Sequence, residues 1–103
     1  MPKYAILEAP SALGHVPEHL GVERAPAVLL EAGLADGLAA RRAGRVAAKG
    51  YSAVRDPQTK IMNPQAVGAY SRLLAAAVTA VLDEDEFPVV LGGDCSILLG
   101  AML

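Results

Sequence analysis

The residues best suited to chemistry lie near the end of the chain, in Val89-Val90-Leu91-Gly92-Gly93-Asp94-Cys95-Ser96. A β-branched apolar run followed by two glycines describes a strand that leaves its sheet through a sharp turn. In open parallel sheets ligands bind beyond such strand ends, so Asp94, Cys95 and Ser96 are candidate site residues. Cys95 admits three readings. Cysteine is among the most buried residue types, and a small thiol at a strand end needs no further role. As a metal ligand it would be deprotonated by the ion. As a nucleophile at the start of a helix it would gain from the helix dipole, but the Asp94 carboxylate opposes that, and no His stands where it can be argued as a base. Asp94 reads as a helix N-cap or as an acceptor that orients the neighbouring ligand, and Ser96 as a further cap.

Two other groupings carry less. His15-Val16-Pro17-Glu18-His19 has the form H-x-x-E-H, which holds zinc only when both His share one helical face. Pro17 drives Val16 out of the helical region, and Gly14 and Gly21 bracket the segment as a loop. Asp83-Glu84-Asp85-Glu86 reads as a solvated acidic turn, because adjacent carboxylates on a loop repel one another and are not aimed at a common point.

The elements that must position these residues follow from hydrophobic spacing. Tyr4 to Leu7 forms a short buried strand, ended by Pro10 and a glycine- and proline-punctuated loop. Pro26 suits the first turn of a helix that runs through Val28, Leu29 and Leu30 and stops near Gly33. Leu34 to Arg42 is read as a short second helix, and Arg45 to Ala48 as a weak second strand. Asn63-Pro64 opens a long helix, with Asn63 capping it, which extends to about Leu82. Val67, Tyr70, Leu74, Val78 and Val81 form one apolar face at helical spacing. Pro88 to Leu91 is the next strand, and strand, long helix, strand is a right-handed parallel βαβ unit. Ile97, Leu98, Leu99, Met102 and Leu103 open another apolar helix that has no glycine cap or basic last turn, and it reads as cut short.

With this order in place, several segments agree with one family. Gly92-Gly93-Asp94-Cys95-Ser96 is similar to the Gly-Gly-Asp-His-Ser signature of the arginase, agmatinase and formimidoylglutamase (ureohydrolase) family. Gly21-Val22-Glu23-Arg24-Ala25-Pro26 and the helix after it resemble that family's Gly-Val-Glu-x-Gly-Pro turn, and Asn63-Pro64 with its helix and strand resembles the next block. The resemblance spans nearly the whole chain. It implies a three-layer α/β/α fold on a parallel sheet, of which this is the N-terminal portion. It further implies two Mn²⁺ ions and hydrolysis of C–N bonds in linear amidines and guanidino compounds. Cys95 stands where the family has a metal-binding His, with Asp94 and Ser96 behind it, and the loop of His15 and His19 is expected above the cleft, within reach of substrate. A thiolate is softer than imidazole and favours Zn²⁺ or similar ions over Mn²⁺. The family's other ligands lie in Asp-x-His-x-Asp and Asp-x-Asp patterns on later strands; the first does not occur here, and the Asp83-Glu84-Asp85 of the acidic turn precedes a strand instead of ending one. The implied partners are therefore the remainder of an enzyme chain or a homo-oligomer, and a small guanidino or amidino substrate. Two alternatives stand beside the enzyme: a non-catalytic arginase-like protein for binding or assembly, in which Cys95 has replaced the ligand, and a thiol enzyme using Cys95.

Composition agrees with these expectations. A chain of 103 residues holds one domain with one core. Its apolar share of 53% is high for that size and implies surface that expects a partner. The mean hydropathy of +0.37 points the same way. The net charge of −2 and scattered basic residues give no stripe for nucleic acid. No apolar run approaches the roughly 18 to 20 residues of a membrane span, and the first residues lack the order of a signal peptide. A lone Cys95 cannot form an internal disulfide, which suits a reducing, cytoplasmic setting.

Overall fold

The computed structural model describes residues 3–14, 21–48, 51–52, 57–59 and 62–102. Three strands form one sheet: β1 (Tyr4–Ala9), β2 (Arg41–Arg45) and β3 (Phe87–Gly92), in the order β2-β1-β3. Both pairings are parallel, so the expected adjacency of the first and last strands holds, with Ile6 beside Val89 and Leu7 beside Val90. A central strand covered on both faces should be apolar without alternation. Ala5, Ile6, Leu7 and Ala9 are all buried accordingly.

Among the described residues the helices are α1 (Ala25–Glu31), α2 (Leu34–Leu38), α3 (Pro64–Asp83) and α4 (Ile97–Ala101), with a short 3₁₀ turn, Val22–Arg24, ahead of α1. Ala5, Leu7 and Ala9 meet Tyr70, Leu74, Val78 and Val81 of α3, so the helical stripe read from spacing is the one that forms the core. Ile6 and Glu8 point to the other face, where α1 packs on β1 and β3. This is a layered α/β architecture on a parallel sheet, as expected.

Four local expectations are corrected. The second strand is Arg41–Arg45, ahead of the apolar Val46 to Ala48, because edge position and backbone pairing select it. Its arginines are held by carboxylates: Arg42 and Arg45 reach Glu8 at 3.6 and 3.0 Å, and Arg41 reaches Glu86. The second helix stops at Leu38 because Ala39 turns left-handed at φ 51°. Asn63 precedes α3 but caps it with no side-chain bond, since it too is left-handed, at φ 51°, and its amide is turned elsewhere. Finally, α3 is long and apolar enough for a membrane span by length and composition, 20 residues with hydropathy 1.3. No unbroken run reveals this in the sequence, because Ser71, Arg72 and Thr79 interrupt it; the helix lays one face on the sheet.

Candidate site at the carboxyl ends of β1 and β3

The site is built where two parallel strands end side by side. β1 runs out at Ala9 and β3 at Gly92, and Ala9 and Gly92 are register partners. The loops that follow lie against each other because Gly93 has no side chain. A Cβ there would come within 2.7 Å of the Ser11 nitrogen and 2.8 Å of the Ala9 carbonyl oxygen. The close approach is fixed by a backbone bond in which Asp94 N–H donates to the Ser11 carbonyl at 2.9 Å.

Asp94 is buried, and its carboxylate is the centre of the arrangement. One oxygen accepts the Gly14 N–H at 2.6 Å, and the other accepts the Ser96 hydroxyl at 2.7 Å. Expectation and structure differ here in a specific way. Neither Asp94 nor Ser96 caps α4 with its side chain: the Ile97 N–H reaches the Asp94 backbone carbonyl at 3.4 Å, while the carboxylate turns across the cleft to the β1 loop. A charged acceptor gains more from a backbone N–H that has no other partner than from a helix end already supplied with one.

A second buried polar residue closes the frame. Asn63 accepts the Ser52 N–H at 2.6 Å and donates to the Leu13 carbonyl at 2.8 Å. The Leu13 N–H in turn donates to the Ser11 hydroxyl at 3.2 Å. The loop of residues 11–14 is thus held from one side by Asn63 and from the other by Asp94. Sequence reasoning assigned Asn63 to a helix cap, read Gly14 only as a loop boundary and gave Ser11 no role. The available signal was that short polar residues flanking Gly14 have to satisfy buried backbone groups somewhere.

Cys95 sits next to this frame and is exposed, which overturns its reading as a buried filler. Its thiol lies beyond the strand ends while the carboxylate beside it is tied down. His15 and His19 lie outside the described residues. Among the described residues no three His, Cys, Asp or Glu side chains come together as a metal site.

Tyr70 lies under the same region, and its hydroxyl donates to the Val46 carbonyl at 2.6 Å. Burial, with the Asp94 charge adding to it, pushes Tyr70 up to about 12. A cavity of about 250 Å³ opens on the carboxyl side of the sheet, lined by Pro10, Leu13, Glu23, Ala48 and Tyr51. Glu23 is anchored there by accepting the Gly21 N–H at 2.9 Å. A larger cavity, about 520 Å³, lies at the opposite end of the strands between Lys3, Arg41 and Glu84. Strand direction decides between the two, and only the first shares an end of the sheet with Cys95.

Parallel strands, helices on both faces, and a glycine-turned polar segment past β3 define an α/β protein with a candidate site at the strand carboxyl ends. A family model described as the arginase family matches residues 2–103, and the chain belongs to that family. Among solved structures it is similar to the arginase from Bacillus caldovelox, at 29% identity and a TM-score of 0.87, covering 99% of this chain and 36% of that one. It is also similar to the arginase from Bacillus subtilis subsp. subtilis str. 168, at 26% identity and a TM-score of 0.82, covering 99% of this chain and 34% of that one. The likeness to the arginase from Bacillus cereus, at 23% identity, a TM-score of 0.79 and coverage of 99% and 34%, speaks for the fold alone. The chain therefore spans about a third of the length of the arginases it matches. A search of curated proteins finds no significant match.

Proposed function

We propose that this chain is the N-terminal part of a binuclear-metal hydrolase that cleaves C–N bonds in linear amidines or guanidino compounds, and that Cys95 is its contribution to the metal site. One observation carries the reading: Cys95 is exposed past the end of β3, beside a buried carboxylate whose two oxygens are both engaged, at the place where the family motif has a ligand. A side chain held out by such a frame is preorganised for a ligand, since its neighbours cost no reorganisation when the site fills.

The family implies two Mn²⁺ ions, and the described residues do not fit that pair by themselves. Mn²⁺ prefers carboxylate and imidazole, Cys95 is a soft donor, and the Asp94 oxygens are spoken for. What the residues of this chain do is set one wall of a site: Asp94 and Ser96 fix the turn that carries Cys95, and Asn63 fixes the facing loop. His15 and His19 belong to the loop that would reach substrate. The other ligands would come from the remainder of an enzyme chain or from another subunit, and the single thiol suits a cytoplasmic setting.

The test is a chimaera in which residues 1–103 replace the matched third of the Bacillus caldovelox arginase. Metal content and hydrolysis of arginine, agmatine and formimidoylglutamate are then measured with Mn²⁺, Zn²⁺ and Co²⁺. Bound metal and turnover that both fall in Cys95→Ala support the reading. A folded chimaera that takes up no metal, while its Cys95→His version does, would leave the non-catalytic binding or assembly protein as the better description.

A further inference from the structure

Two buried side chains meet on a single peptide group. The Asn63 side-chain amide donates to the Leu13 carbonyl at 2.8 Å, and the Gly14 N–H donates to the Asp94 carboxylate at 2.6 Å. That carbonyl and that N–H belong to one planar unit, which has no internal rotation to yield. The Leu13–Gly14 peptide is thus gripped at both ends, from the start of α3 on one side and the end of β3 on the other, and it cannot tilt without breaking a bond to a buried partner. It is also where the chain surfaces, since Leu13 is buried and Gly14 exposed. The chain sets out for residues 15–20 from this fixed plane.

The same bonds run in series. The Ser52 N–H donates to the Asn63 side-chain oxygen at 2.6 Å, so the row passes from Ser52 to the Asn63 amide, then to the Leu13–Gly14 amide and the Asp94 carboxylate, each donating to the next. Amides linked in this way polarise one another, and the carboxylate at the end adds its charge. The backbone of Asn63 is shaped to serve the row. Its φ of 51° is left-handed, a region that few residues other than glycine enter without cost. Its carbonyl accepts the Val67 N–H at 2.9 Å, which seats the residue on the first turn of α3, while its side chain makes no bond to its own helix. Strain of this kind persists where the surroundings demand it, and here the demand comes from the loop.

We infer that Asn63 is a positioning residue of the candidate site: it acts through the Leu13–Gly14 peptide to hold the loop that faces the Cys95 turn, and its effect falls on substrate binding and not on the metal. The inference rests on the hydrolase reading, in which substrate lies between that loop and the metal. Asp94 serves both sides, through Gly14 on one and Ser96 on the other, so its loss disturbs the Cys95 turn as well. Asn63 bonds to Leu13 and Ser52, away from that turn, and this separates its effect from the metal's.

Asn63→Gly isolates the side chain, because glycine keeps the left-handed backbone at no steric cost. In the chimaera with the Bacillus caldovelox arginase it is expected to raise KM about five- to tenfold, the worth of one hydrogen bond, with kcat and bound metal changed by less than about twofold. Val81→Ala, a core change at the far end of α3, lowers stability without touching the loop and is expected to leave KM alone. In the 103-residue chain, with no metal or substrate, NMR follows the Gly14 amide proton. Asn63→Gly is expected to move it upfield as its bond to Asp94 weakens, and Val81→Ala to leave it in place. Should Asn63→Gly fail to fold, Asn63→Asp is read in the same way, since it keeps the bond to Ser52 and loses the donor to Leu13. An unchanged KM in a folded, metal-loaded variant overturns the inference, and so does an equal rise in Val81→Ala, which assigns the effect to stability. A chimaera that takes up no metal in any version counts against the hydrolase reading alone. The Gly14 resonance then decides: a shift in Asn63→Gly upholds the positioning role, and none overturns it.

Discussion

The Gly14 N–H donates to the Asp94 carboxylate at 2.6 Å across 80 positions of sequence, and this bond ties the loop after β1 to the turn after β3. Gly14 is also the residue the geometry demands, because a Cβ there would sit 2.5 Å from the same carboxylate oxygen. Asp94→Ala is expected to lower stability by about 1–3 kcal/mol, since it strands the Gly14 N–H and the Ser96 hydroxyl at once. Asp94→Asn keeps one acceptor and should lose less. Chemical denaturation of the three chains checks the order, and equal losses for Ala and Asn would mean that the carboxylate's bonds do not hold the loops.

Tyr70 gives the fold a dependence on alkaline pH. Its folded value, about 12, is raised above the usual phenol value by burial and then by the Asp94 charge. Below pH 10 both folded and unfolded chains keep the proton and its contribution is complete. Between about pH 10 and 12 the unfolded chain ionises first, so stability is lost as pH rises through that window. Tyr70→Phe should flatten this part of the profile while losing the bond to Val46, worth about 1 kcal/mol, at every pH. Thermal melts from pH 8 to pH 12 decide it; a parallel decline in wild type and variant would assign the loss to other groups.

The parallel βαβ core was legible because its signals are long and periodic. The stripe Tyr70, Leu74, Val78 and Val81 has one reading as a helix, and the Val89 to Gly93 run has one as a strand with a turn behind it. β2 was misplaced because Arg41-Arg42-Ala43-Gly44-Arg45 carries no strand pattern; its pairing is decided by Glu8 and the β1 backbone, which only the assembled sheet supplies. The same holds for the site. Asp94, Cys95 and Ser96 could be picked out from local spacing, whereas Ser11, Gly14 and Asn63 are joined to them by bonds that span tens of residues. Local chemistry made Asp94 and Asn63 look like caps, and tertiary demand gave both of them other partners.

The isolated chain is expected to show no hydrolysis of arginine, agmatine or formimidoylglutamate with added Mn²⁺. Among the described residues no three potential ligands converge, and a catalytic metal needs about three protein ligands to keep an open position. Urea or ammonia release by the purified chain, abolished by Cys95→Ala, would show that the described residues understate the site. In the chimaera with the Bacillus caldovelox arginase, Cys95→His should move preference from thiophilic ions toward Mn²⁺, because imidazole replaces a soft donor with a borderline one.

Gly100 sets the depth at which α4 docks, and α4 begins just beyond Cys95 and Ser96. A Cβ at Gly100 would lie 2.7 Å from the Ser71 carbonyl oxygen, 2.9 Å from its Cα and 3.0 Å from the Leu74 Cβ. Two of those atoms are α3 backbone and have no rotamer to yield, so Gly100→Ala must lift α4 from α3. The cost is expected at about 1–3 kcal/mol, the usual range for overpacking, and most of it should appear locally because α4 is short and its Leu98, Leu99 and Met102 already face outward. Hydrogen exchange reads this directly. Amides of residues 98–102 should lose protection in Gly100→Ala while those of β1 and the middle of α3 keep theirs. Ser71→Gly, which removes only a side chain and leaves the α3 backbone where it is, should not restore them. Restoration would mean that the clash is with the Ser71 side chain and that the helices are free to approach more closely than the structure shows.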